Sequence, residues 1–138
     1  MSRFEGPILW VVAEDQDDDV LILQRCCKRL SAPPQLLLAR NGAEAMTLLN
    51  GLGSASVPSL ILSDLKMPNV DGLELLAWVK GQSRFREIPF VLLTSSNDER
   101  DRSRAKELGA DDYLVKPTGL EELVKVLRGV LKRWCLDP

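Results

Sequence analysis

Short apolar runs of strand length alternate along this chain with longer segments in which apolar residues recur every three or four positions. Such alternation predicts βαβ units built around a parallel sheet. Strands are expected over 8–13, 35–39, 59–63, 89–94 and 112–115. All but the second are near-continuously apolar, as strands covered on both faces are. The first helix is expected to start near 17–19 and run to about 30, with Val20, Leu21, Leu23, Cys27 and Leu30 as its stripe and Pro33 and Pro34 as its stop. Further helices are read over 42–52, 72–81, 98–108 and 120–134, the second with Ala45, Leu48, Leu49 and Leu52 on one face. Gly109 marks the end of the fourth. The fifth carries a wide apolar stripe, Leu120, Leu123, Val124, Leu127, Val130, Leu131 and Trp134. NDERDRSRAKELG, the fourth, is polar over most of its surface and reads as a solvated helix, or as a partner face beside the fifth.

The strand ends carry the chemistry. Glu14 and Asp15 follow the first run, Asp64 the third, Thr94 ends the fourth, and Lys116 with Pro117 follows the fifth. In a parallel α/β sheet, ligands bind outside the carboxyl ends of the strands, so these distant residues converge in one crevice. Three carboxylates, a hydroxyl and an ammonium would meet there. Such oxygen donors suit a hard cation such as Mg²⁺, with Asp64 both ligand and nucleophile. Asp64 lies directly after a buried strand, where an uncompensated carboxylate is expensive. Lys116 offers the compensating cation, and a cis bond before Pro117 would fix its direction. Singly, the parts have plainer readings. Glu14 and Asp15 could open a charged loop, a strand-end threonine is usually structural, and the Asp17–Asp18–Asp19 run is read as charge at a helix N-terminus.

Composition narrows the function. At 138 residues the chain is expected to be a single domain over 1–138, with no output domain. With 18 Lys+Arg against 20 Asp+Glu, the net charge of -2 lacks the basic excess of a direct nucleic-acid binder. MSRFEGPILWVVAEDQ has no secretory apolar region, and no stretch approaches about 18 apolar residues, so the expectation is a cytoplasmic protein without a membrane span. Cys26, Cys27 and Cys135 fit neither a disulfide framework nor metal-ligand spacing and read as ordinary helix residues. There is no histidine, which removes imidazole acid/base chemistry and any phosphohistidine donor role.

The motifs VVAEDQ, LILSDLKMPNVDG, FVLLTSS and GADDYLVKP together resemble the receiver domain of two-component response regulators, over nearly all of the chain. Details such as EDQDDDVLILQR and the tryptophan near the C-terminus look more like the stand-alone receivers associated with phytochromes than like transcription-factor receivers. The resemblance implies a flavodoxin-like, doubly wound, five-stranded parallel sheet of order 2-1-3-4-5 with five helices. It implies Asp64 as phosphoacceptor and Mg²⁺ held by Glu14, Asp15, Asp64 and the main-chain carbonyl of Lys66. Thr94 and Lys116 would contact the phosphoryl group, and Tyr113 would be the switch aromatic. Glu14 stands where many receivers have aspartate. Lys66 and Ser96 occupy positions that in this family border the path of the hydrolytic water.

The implied function is a phosphorylation-activated response regulator, a signalling phosphoacceptor that assists its own phosphorylation and dephosphorylation rather than an enzyme with a separate substrate. Its donor would be a sensor histidine kinase, for the phytochrome-like subgroup a phytochrome-like one. Recruiting Thr94 would open space for Tyr113 to turn in and alter the surface of the fourth helix, fifth strand and fifth helix. Output would be docking to a kinase, another protein, or a second copy of the chain in a homodimer through that surface. The rival within the family is a receiver-like module that docks independently of phosphorylation. A phosphotransferase of the haloacid dehalogenase type expects a second aspartate where Lys66 stands, and no G-x-G-x-x-G follows the first strand to support a dinucleotide site.

Overall fold

The computed structural model describes residues 7–54 and 56–136. The opening six residues, on which part of the reading against a secretory leader rests, lie outside them. Five strands form one parallel sheet in the order β2-β1-β3-β4-β5, as expected: β1 (Leu9–Ala13), β2 (Gln35–Ala39), β3 (Leu60–Ser63), β4 (Phe90–Thr94) and β5 (Asp112–Val115). The helices are α1 (Asp17–Cys27), α2 (Gly42–Gly51), α3 (Gly72–Gly81), α4 (Glu99–Glu107) and α5 (Leu120–Val130).

Each strand sends alternate side chains to opposite faces. Val11, Ile61, Phe90 and Leu92 pack with Ala45, Leu49, Leu75, Leu76 and Val79 of α2 and α3 on one face. Trp10, Val12, Leu62, Val91 and Leu93 pack with Leu23, Cys26, Cys27, Val124, Leu127 and Val130 of α1 and α5 on the other. The three central strands are covered on both sides and read as unbroken apolar runs.

Several boundaries differ from the expectation. α1 stops at Cys27 rather than near Leu30, because Arg29 and Leu30 turn their N–H groups to the carbonyls of Cys26 and Cys27. Its buried stripe is Leu23, Cys26 and Cys27, continued by Leu30 in the turn that follows, while Leu21 points outward and is 48% exposed. Asp98 lies just outside α4 as its N-cap, accepting from the Arg100 N–H. Gly109 follows α4 with φ of 99°, the left-handed conformation that glycine adopts without strain. The expected fifth helix is α-helical only to Val130 and closes in a wider π-helical turn, Leu131–Cys135, which buries Leu131 and brings Cys135 Sγ to accept from Trp10 Nε1 at 3.3 Å. None of the three cysteines forms a disulfide, and all are buried within helices or this turn. Among the described residues no helix is long and apolar enough to cross a membrane.

Candidate functional site

Main-chain bonds fasten the strand ends to one another. Glu14 N–H donates to Ala39 O at 2.9 Å, Asp64 N–H to Ala13 O at 2.9 Å, and Lys116 N–H to Thr94 O at 2.8 Å. The residues after β1, β3 and β5 therefore leave the sheet at one level. Here the structure brings together four of the residues picked out in the sequence. Glu14, Asp15 and Asp64 each offer a carboxylate oxygen within 4.8 Å of one another. Lys116 Nζ lies 2.9 Å from Glu14 Oε2 and 3.2 Å from Asp64 Oδ2.

The local sequence fixes Asp64 closely. Leu65 N–H donates to its Oδ1 at 2.6 Å, and the loop folds back so that Gly72 N–H meets Leu65 O at 2.9 Å. A Cβ on Gly72 would stand 2.2 Å from the Asp64 carbonyl oxygen, so the first residue of α3 has to be glycine for the loop after Asp64 to close. Asn69 helps that loop turn, with φ of 64°. Asp71 and Glu74 then cap α3 reciprocally.

Charge at the site is uneven. Glu14 is only 5% exposed. Burial pushes its carboxyl up to about 7; the hydrogen bond from Lys116 opposes this, and the neighbouring Asp64 charge adds to it. For Lys116, burial acts downward, but the bond to Glu14 and the charges of Asp64 and Glu14 outweigh it and hold the ammonium above its ordinary range. Lys116 stays protonated whichever carboxylate beside it carries a proton. Three hard oxygen donors around one partly buried point fit a divalent cation, which would offset the charge that burial disfavours.

Asp19 is a member of the site that sequence reasoning passed over. It lies in the first turn of α1, and its Oδ2 sits 3.1 Å from Lys116 Nζ. Within the Asp17–Asp18–Asp19 run nothing in the sequence separates it from charge at a helix N-terminus. The direction of Lys116 is set by these three carboxylates and by its main-chain bond to Thr94. No cis peptide bond occurs among the described residues, so the expected cis link before Pro117 is replaced by a trans one.

On the other flank, Thr94 is fully buried at the end of β4 and its Oγ1 accepts from Ser96 N–H at 3.2 Å. Tyr113 is already turned inward: it is 9% exposed and its hydroxyl donates to Ser96 O at 3.0 Å. The guanidinium of Arg102 lies 4.7 Å over its ring, and Arg102 Nη1 donates to Tyr113 O at 3.4 Å. The expected inward swing thus starts from an inward position, because Ser96 and Arg102 satisfy both ends of the tyrosine. Lys66 points an exposed side chain toward α4, with Nζ 3.8 Å from Asp101 Oδ2.

A five-stranded parallel sheet of order 2-1-3-4-5 is shared by a recognised family. The response regulator receiver domain model matches residues 10–128. The chain belongs to this family. Response regulator Rcp1 of Synechocystis is 34% identical over 131 residues, covering 93% of this chain and 89% of that protein. The phosphorylated cyanobacterial phytochrome response regulator RcpA has a crystal structure similar to this one at a TM-score of 0.85 and 31% identity, covering 94% of each chain. A bacteriophytochrome response regulator, AtBRR, is similar at a TM-score of 0.75 and 34% identity, covering 96% of this chain and 98% of its own. Rcp1 has also been solved in a Mn²⁺-bound form, with a TM-score of 0.82 to this receiver. Its relatives thus include phytochrome-associated response regulators.

Proposed function

We propose that this receiver accepts a phosphoryl group on Asp64 from the phosphohistidine of a sensor kinase, in the presence of Mg²⁺, and signals by changing its contacts with other proteins. The observation that carries the reading is the Asp64 carboxylate at the end of β3, with Lys116 Nζ at 3.2 Å and the oxygens of Glu14 and Asp15 within 4.8 Å. Its relatives' phytochrome association supports a phytochrome-like kinase as donor.

Glu14, Asp15, Asp64 and the Lys66 carbonyl would hold the cation. When bound it neutralises charge on the phosphoryl oxygens. An Asp64 oxygen attacks phosphorus as the bond from phosphorus to the donor imidazole breaks, the electron pair leaving with the imidazole. Leu65 N–H holds the carboxylate plane while this happens. Lys116, shared among three carboxylates beforehand, turns to the incoming phosphoryl oxygens, which bring roughly one and a half to two negative charges. Thr94 donates its O–H to a phosphoryl oxygen, since its lone pair already accepts from Ser96. Moving Thr94 then disturbs Ser96, and through it Tyr113 and α4. The altered face of α4, β5 and α5 meets the partner, which includes a second copy of the chain. The domain assists its own phosphorylation and hydrolysis but turns over no separate substrate.

Intact-mass measurement after incubation with Mg²⁺ and acetyl phosphate tests this. A gain of about 80 Da, one phosphoryl group bound covalently, is expected for the wild type and not for Asp64→Ala. No gain, repeated with purified candidate kinases, would overturn the reading in favour of phosphorylation-independent docking.

A further inference from the structure

We infer that Asp101 is a positioning residue that clasps the two loops over the phosphoacceptor and prolongs the life of the phosphoryl group, an inference that rests on Asp64 being that acceptor. Lys66 belongs to the loop leaving β3, two residues past Asp64, and Ser96 to the loop leaving β4, two past Thr94. A single carboxylate from a third element joins them. Asp101, in the first turn of α4, accepts from Ser96 Oγ at 2.6 Å and lies 3.8 Å from Lys66 Nζ.

The contact with Ser96 is a short hydrogen bond to an ionised acceptor, the stronger class of such bonds. A first-turn carboxylate also favours the helix dipole. That role alone leaves the side chain facing water, whereas the Asp101 side chain is only 20% exposed. Ser96 is in addition held at its N–H by Thr94, at its carbonyl by Tyr113 and at its hydroxyl by Asp98 N–H. Asp101 therefore fastens a loop that already touches the hydroxyl expected at the phosphoryl group.

Hydrolysis of an aspartyl phosphate needs a water in line with the bond that breaks. The water oxygen bonds to phosphorus, the phosphorus–oxygen bond to Asp64 breaks with its electron pair returning to the carboxylate, and the water proton passes to the departing phosphate or to solvent. In-line attack comes from the side away from Asp64, toward the mouth of the crevice, and the loops carrying Lys66 and Ser96 leave the sheet at that same carboxyl edge. Holding these two residues across the mouth limits entry of that water.

The test follows decay of the phosphorylated protein by intact mass after acetyl phosphate is removed, for the wild type, Asp101→Ala, Ser96→Ala and the double variant. Each single change is expected to shorten the lifetime about threefold to tenfold, part of what a hydrogen bond to a charged group contributes. The double variant should decay more slowly than the product of the two single effects predicts, because the hydrogen bond between Ser96 and Asp101 is lost in both. Unchanged lifetimes, longer lifetimes or multiplying effects overturn the clasp. Lys66→Met, which removes only the weaker arm, is expected to give a smaller shortening and serves if a helix variant fails to fold. A wild type that takes up no phosphoryl group overturns the acceptor reading itself, whereas one that is phosphorylated with lifetimes indifferent to these changes overturns the clasp alone.

Discussion

The helices before and after β5 are fastened by different forces. α5 buries Val124, Leu127 and Val130, and its terminal turn adds Leu131 and Cys135. α4 buries one side chain, Ala105, and otherwise relies on polar contacts: the Asp98 cap, Ser96 on Asp101, and Arg102 on Tyr113. Apolar burial is non-directional and tolerates small movements, whereas hydrogen bonds are lost when geometry changes by an ångström or so. Consequently α5 is a fixed wall of the crevice and α4 is the element whose position depends on what the loops beside it are doing. The proposed movement of the Thr94 hydroxyl needs an element of the second kind to carry it further.

The largest effect that distinguishes the two comes from truncating the wall. Leu127→Ala should cost about 2–5 kcal/mol in urea unfolding, the range for leucines buried this fully. Substituting the exposed Arg104 of α4 by alanine should stay within about 0.5 kcal/mol. Equal costs would show that α4 is packed as firmly as α5.

A second prediction concerns Glu14, buried on the same flank as α5. With its carboxyl near 7 in the folded protein against an ordinary 4.5, the folded state binds the extra proton between those values. The associated stability is complete below about pH 4.5 and lost as pH rises through 7. Without divalent cations, unfolding free energy should fall across that window by on the order of 1–3 kcal/mol, and Glu14→Gln should flatten the profile. Lys116, displaced upward, acts only above its ordinary 10.5 and leaves this window untouched. If the slope persists in Glu14→Gln, another group is its source.

The fixed half of this comparison was legible in the sequence. Buried central strands such as 59–63 and 89–94 read as apolar runs because both faces are covered, and Glu14, Asp64, Thr94 and Lys116 could be picked out because each ends or follows such a run. The α5 stripe was legible for the same reason. Less could be read where polar residues choose partners. Asp19 and Asp101 both sit in first helical turns, where a carboxylate is favourable whether or not it touches anything else, so neither Lys116 nor Ser96 could be assigned to them. The inward position of Tyr113 depends on Arg102, eleven residues away across a helix end, which no local pattern announces. Leu21 falls outside the buried stripe because Val20, Leu21 and Leu23 span more than one helix face.

Weakening the cap of α4 should separate the helices without unfolding either. Asp98 accepts from Arg100 N–H at 2.8 Å, and Asp98→Ala removes that bond. Hydrogen exchange of the amides in α4 should speed up by about fivefold, a typical consequence of losing a cap, while those of α5 keep their wild-type rates. Parallel acceleration in both helices would mean that they open as one unit.

The smallest effect is the most informative about signalling. Tyr113 is the only tyrosine in the chain, so its ring resonances report this position alone. Arg102 contributes a cation over the ring and a bond to the Tyr113 carbonyl, an arrangement worth about 0.5–1 kcal/mol near a surface. Arg102→Gln should therefore leave the fold intact but shift part of the population to an outward ring. Adding Mg²⁺ with a phosphoryl mimic should then draw the ring back, since recruiting Thr94 favours the inward position, whereas in the wild type the same addition should move the ring little. This difference would locate the work of the proposed phosphorylation. If the wild-type ring moves as far as the variant's, Arg102 does not hold the tyrosine, and the switch begins outside the crevice as the family pattern implies. If neither moves, the coupling from Thr94 passes through Ser96 to Asp101 and α4 without the tyrosine, and α4 alone carries the signal.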